Sequence, residues 1–140
     1  MTDDAGAATA ARTAQADDIV ELRLPADGAY LSVLRTATAG LAARLDFTLD
    51  EIEDLRIAVD EACALLLPDA VPDADLVCVF ALSHQALSVT VTVPSRTGRM
   101  PRRNTFAWAV LSALAGDVDA RADDDGRVSV TLVKRRGGRG

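Results

Sequence analysis

Between residues 87 and 93 the chain alternates without exception: Leu87, Val89, Val91 and Val93 fall on one side, and Ser88, Thr90 and Thr92 on the other. Successive side chains of a strand point to opposite faces, so this run reads as a strand with one face to be buried and one that tolerates water. The apolar face has to be covered by a second layer. Clean alternation of this kind belongs to antiparallel sheets with helices on one side only.

The rest of the chain supplies both the sheet partners and the cover. Val20, Leu22 and Leu24 alternate with Glu21 and Arg23 until Pro25 and Asp27-Gly28 stop the run, giving a first strand and a turn. From Ala29 to about Leu45, Leu31, Leu34, Thr38, Leu41 and Leu45 recur at three- and four-residue intervals and predict a first helix, with Arg35 and Arg44 off its stripe. Thr48-Leu49-Asp50-Glu51 is a capping-box pattern, in which the Thr oxygen and the Glu carboxylate each satisfy an orphan N–H at a helix start. The second helix runs to about Leu67; it is apolar nearly all round from Ile57, apart from Asp60 and Glu61, and should be buried on more than one side.

Leu76–Leu82 pairs by spacing with the 87–93 strand across Ser83-His84-Gln85. Residues 94–104 form a loop carrying Arg96, Arg99, Arg102 and Arg103. A third helix is expected over Thr105–Ala115, with Ala107, Val110, Leu111 and Leu114 toward the core and Gly116 as its stop. Trp108 falls on its flank, open to core packing or to lining a pocket. A short strand at Val118–Arg121, a turn at Asp123–Gly126 and a last strand from Val128 complete a β-α-α-β-β-α-β-β order. The fold class is α+β: a two-layer sandwich, its mixed, mostly antiparallel sheet covered on one face by three helices. Residues 1–18 and 137–140 read as flexible tails, and 19–136 as one domain.

Composition narrows the functions. An apolar content of 49% over 140 residues suits one packed core. A net charge of −6 and a pI near 4.6 argue against a general nucleic-acid binder, which needs a basic surface. The N-terminus lacks a signal-peptide pattern and the apolar stretches are too short to cross a bilayer, so a soluble, cytoplasmic protein is expected. Cys63 and Cys78 sit in apolar patterns without CxxC spacing and read as buried thiols. His84, the one histidine, lies in a turn with no companion ligands, and Asp123-Asp124-Asp125-Gly126 lacks the spaced oxygens of a calcium loop, so no metal site is expected. Lys134-Arg135-Arg136 reads as a short basic tail.

The run Asp54-Leu55-Arg56-Ile57-Ala58-Val59-Asp60-Glu61-Ala62-Cys63 resembles the N-box helix of the anti-sigma-factor serine kinases of the GHKL (Bergerat-fold) ATPase family, of the stress and sporulation type. The likeness extends from the opening strand near Glu21 to the closing strand Val128–Val133. It implies an anti-sigma factor that sequesters an alternative sigma factor and yields it to an anti-anti-sigma (STAS) protein by partner switching, usually as a homodimer, with no direct role for nucleic acid or membrane. Arg35, within Val33-Leu34-Arg35-Thr36, resembles the family's partner-contacting arginine.

The same resemblance implies an ATP–magnesium site, and here the chain departs from the pattern. Glu61 matches the N-box Glu and is the candidate catalytic base, but Leu65 stands where the family has Asn, and an aliphatic chain cannot ligate Mg²⁺. Of the next glycine motif only Gly98 is matched, and the phosphate-cradling glycines align with Thr105-Phe106-Ala107, so Thr105 and Ala107 replace them. Glu61 and Gly98 are what is left of a vestigial nucleotide pocket. The implied function is therefore an anti-sigma factor without efficient kinase activity and with no cofactor expected; the alternative is an ATP-dependent serine kinase that phosphorylates its antagonist.

Overall fold

The structure, a computed structural model, describes residues 16–137. Five strands, β1 (Asp18–Pro25), β2 (Asp75–Leu82), β3 (Ala86–Pro94), β4 (Asp117–Ala122) and β5 (Arg127–Arg135), pair in the order β1-β2-β3-β5-β4, and every pairing is antiparallel. The sheet expected as mixed is therefore antiparallel throughout its described strands. Most of the two tail segments lies outside the described residues. Asp18, assigned to the first tail, is instead paired with Leu82, because the Asp17 N–H already donates to the Leu82 carbonyl at 2.8 Å.

The alternation in β3 sets the layering. Leu87, Val89, Val91 and Val93 are fully buried, and in register with them stand Cys78 and Phe80 of β2 and Val128, Val130 and Leu132 of β5. On the opposite, helix-free face the hydroxyls satisfy each other across the strands: Thr90 and Thr131 at 3.0 Å, Thr92 and Ser129 at 2.7 Å. A buried hydroxyl without a partner costs about 1–3 kcal/mol, so this pairing is what lets Thr90 and Thr131 sit at the least exposed part of that face.

Three helices cover the apolar face: α1 (Leu31–Arg44), α2 (Leu49–Leu66) and α3 (Phe106–Ala115). In α1 the expected stripe faces the core, with Leu34 and Thr38 buried beside Ala42 and Leu31, Leu41 and Leu45 half-buried against it, and Thr38 sits there at no cost because its Oγ1 donates to the Leu34 carbonyl at 2.8 Å. The capping box forms at the start of α2, the Glu51 N–H donating to Thr48 Oγ1 at 3.1 Å and the Thr48 N–H to Glu51 Oε1 at 2.8 Å. Leu55, Ala58, Val59, Ala62, Cys63 and Leu66 of α2 are all buried, so this helix is the centre of the cover.

Helix α3 is turned from the expected orientation. Trp108, Leu111 and Ala115 are buried, while Ala107, Val110 and Leu114 are only half-buried. The indole carries the largest apolar area on the helix, and turning it inward removes the most surface from water. Gly116 ends α3 at φ +91, in the left-handed region that glycine enters without strain. The basic run at the C-terminus is likewise no loose tail: Lys134 and Arg135 belong to β5, and Lys134 Nζ donates to the Leu114 carbonyl at the end of α3 (2.8 Å) and to Asp54 of α2 (3.4 Å). Among the described residues, no helix is long and apolar enough to cross a membrane.

Candidate functional site

Helices α1 and α2 lie side by side, and at their exposed seam the Arg35 guanidinium donates to Asp60 Oδ1 at 3.0 Å. The α1 stripe buries Leu34 and Thr38, which places Arg35 at the edge of the contact with α2. The α2 stripe does the same for Asp60, one residue after buried Val59. Exposed Ile57 lies one turn before Asp60, and Glu61 follows it half-buried. Arg35 and Asp60 thus meet as an ion pair that still faces solvent.

Beneath this pair lies Cys63, fully buried. Burial pushes its thiol up to about 12, with the Asp60 charge adding to the rise and the Arg35 charge opposing it. Cys78 is raised as well, by burial first. Thiolate is the reactive form, so both sulfurs are inert packing groups at neutral pH. The sequence expectation of buried thiols is met.

One turn beyond Glu61, Leu65 opens onto a cleft of about 300 Å³ between the C-terminal half of α2, the 95–105 loop and the start of α3. Buried Leu66, Val93 and Val128 form its floor, Thr105 closes one side, and exposed Arg99, Met100 and Arg102 form its rim. Leu65 and Thr105, two of the three replacements of nucleotide-binding residues, are therefore brought together. Glu61, Gly98 and Ala107 fall outside the lining of that cleft. Gly98 has φ +65, and its N–H donates to Ser95 Oγ at 3.0 Å, so a tight turn accounts for the glycine.

The cleft does not match a magnesium nucleotide. Magnesium asks for oxygen ligands in an octahedral set, and the position one turn after Glu61 presents only the methyl groups of Leu65. At the start of α3, the Trp108 N–H is taken by Thr105 Oγ1 at 3.1 Å, which removes one of the donors a phosphate would use.

Of the four arginines in the loop, two are structural. Arg96 reaches Asp69 at 3.7 Å and the Pro68 carbonyl at 3.1 Å. Arg103 reaches Asp119 at 3.0 Å while its guanidinium stacks 4.7 Å from the centre of the Trp108 ring. Two apolar side chains escaped the sequence reading: Met100 is 52% exposed and Phe106 84% exposed. Phe106 follows the N-cap Thr105 directly and lies off the buried stripe of α3, which was the signal available for it.

No family model matches the chain. Anti-sigma-F factor RsbW of Mycobacterium tuberculosis is 37% identical over 123 residues, which cover 84% of this chain and 73% of that protein. Serine-protein kinase RsbW of Bacillus cereus is 34% identical over 74 residues, covering 51% of this chain but only 46% of that protein. Among solved structures, the crystal structure of the RsbU and RsbW domains of Rv1364c from Mycobacterium tuberculosis superposes with a TM-score of 0.66 at 16% identity. The match covers 85% of this chain and 32% of that longer one, and shows a shared fold.

Proposed function

This chain belongs to the RsbW family of anti-sigma factors, and we propose that it binds and sequesters an alternative sigma factor of RNA polymerase, releasing it to an anti-anti-sigma protein of STAS type without an efficient kinase step. The family relationship carries the first half of this reading. The second half rests on one observation, the Leu65 side chain in the cleft where Mg²⁺ needs an oxygen. Arg35 is the proposed partner contact. It is exposed enough to be reached, it is held in place by Asp60, and a guanidinium offers further donors for a partner carboxylate beyond the one Asp60 occupies.

Glu61 retains the position of the family's base, but with no nucleotide to activate against we assign it to the partner-facing surface of α2. Action in the cytoplasm on a sigma factor, and pairing of two copies, belong to the same proposal on the strength of the family resemblance alone. Two measurements test it. Purified chain should inhibit promoter-specific run-off transcription by one of the alternative sigma factors of its own genome. Calorimetric titration with Mg-ATP should show no binding at millimolar nucleotide; micromolar binding would replace the sequestration-only reading with the kinase one.

A further inference from the structure

We infer that the cleft beside Leu65 is an anchor site for an acidic protein segment carrying one bulky apolar side chain. The inference deepens the proposed function, since it enlarges the surface offered to a regulatory partner. Its first ground is charge. The chain carries −6 overall, yet among the described residues Arg99 and Arg102 make no salt bridge, while their neighbours Arg96 and Arg103 are held by Asp69 and Asp119. Asp69, the one carboxylate in the lining, is thus already turned to a cation. The rim is a pair of free guanidinium groups, which favour carboxylates by bidentate, charge-assisted hydrogen bonds.

Its second ground is the shape and chemistry behind that rim. Leu65, Leu66, Val93 and Val128 give the cleft an apolar wall and floor, and its volume of about 300 Å³ has room for a large side chain. Met100 stands exposed at its rim, and Phe106, the next residue after the lining Thr105, is exposed as well. A buried anchor in a pocket ringed by polar contacts is how protein interfaces concentrate their binding energy. The same lining is poorly suited to a magnesium nucleotide, because Leu65 offers the metal no oxygen.

The third ground is continuity. Ile57, Asp60, Glu61, Ala64 and Leu65 lie at three- and four-residue intervals on one side of α2 and are all at least partly exposed. This stripe runs from the Arg35–Asp60 pair straight to the cleft, so one partner can engage Arg35 and the anchor site together.

The test uses a short fluorescein-labelled peptide of Asp and Glu residues flanking a central Leu-Phe pair, with a second peptide in which Lys replaces every acid. Anisotropy should show saturable binding of the acidic peptide alone. The double reversal Arg99→Glu, Arg102→Glu should weaken it at least tenfold, and Leu65→Lys should weaken it similarly with the circular dichroism spectrum unchanged. The arginines are exposed loop residues, so the reversal leaves the core intact. No saturable binding, equal binding of the lysine peptide, or binding indifferent to the double reversal overturns the assignment. So does displacement by equimolar inorganic phosphate, which marks a small-anion site, or a dimer that the reversal dissolves, which marks self-contact. No sigma factor enters the assay, so failure here leaves sequestration standing, and failure of sigma inhibition leaves the anchor site standing.

Discussion

The Arg35 guanidinium donates to Asp60 at 3.0 Å, joining α1 to α2 at a point where both side chains remain about a third exposed (35% and 36%). An ion pair this open contributes little to folding, because water screens it and two long side chains are ordered to make it. What it does is hold the guanidinium in a fixed direction at the surface. Arg35→Ala is therefore expected to change folding stability by less than about 1 kcal/mol, while weakening binding of the sigma factor by ~1–2 kcal/mol, roughly five- to thirtyfold in Kd. Arg35→Lys should recover little of that loss, since an ammonium cannot reproduce the planar fork. Chemical denaturation and surface-plasmon titration on the same variants separate the two effects; equal losses in both would assign Arg35 to the fold.

Glu51 joins two parts of the chain. Its carboxylate accepts from the Thr48 N–H in the capping box and, through Oε2, from the Gly137 N–H at 2.6 Å. These hydrogen bonds, that from Thr48 foremost, hold its pKa below the ordinary carboxylate value of 4.5 against the rise that burial imposes. A lowered folded-state pKa makes the contribution complete above 4.5 and lost as pH falls through the lowered value. Glu51→Gln should remove that acid-side loss of stability, and Thr48→Ala should cost about 1 kcal/mol. Thermal melts across the acid range, wild type against both variants, check the sign: a Glu51→Gln melt that falls as steeply in acid as wild type contradicts the assignment.

The buried thiols make a kinetic prediction and a pH prediction. Cys63 and Cys78 should react with a thiol reagent only at the rate of global unfolding, and both at once, since each is fully buried in the same core. The Cys63 pKa is raised from 9.0 to about 12, so the folded state holds its proton where the unfolded chain has lost it. Stability should then fall as pH rises past 9.0. Stopped-flow thiol titration in native buffer and in denaturant reads the first effect. A fast native phase for either cysteine would contradict its place in the core.

Local patterns carried most of the fold. The alternation of β3 fixed which residues face the helices, the stripe of α1 located its buried side, and Thr48-Leu49-Asp50-Glu51 placed the start of α2. What escaped depended on tertiary contacts. The turn of α3 toward Trp108 follows from the sheet and the Arg103 stack, neither of which a window of sequence contains. Lys134 reads as tail because its partners, Leu114 and Asp54, are 20 and 80 residues away. The candidate site was half legible: Glu61 and Leu65 stood in the N-box resemblance and Arg35 in the first-helix one, but the ion pair with Asp60, and the sorting of the loop arginines into held and free, required their carboxylates in space.

Leu65 also gives the sharpest test of the proposed loss of the nucleotide site. If one missing ligand were the whole cause, Leu65→Asn would restore Mg-ATP binding. The start of α3 argues otherwise. Thr105 caps the helix with its own hydroxyl at 3.1 Å from the Trp108 N–H, and Phe106 and Ala107 carry side chains where a phosphate cradle needs bare backbone. Leu65→Asn alone should therefore leave ATP binding undetectable at millimolar nucleotide. It should also cost folding stability of about 1 kcal/mol, from replacing a half-buried aliphatic chain with an amide that lacks a partner. Combining it with Thr105→Gly and Ala107→Gly should give the first measurable affinity, at a further loss of about 1 kcal/mol or more for the cap and the helix glycine. Calorimetry on the single and triple variants decides: micromolar binding by Leu65→Asn alone would show that the α3 start still accepts phosphate, and that this side chain by itself separates the chain from a kinase.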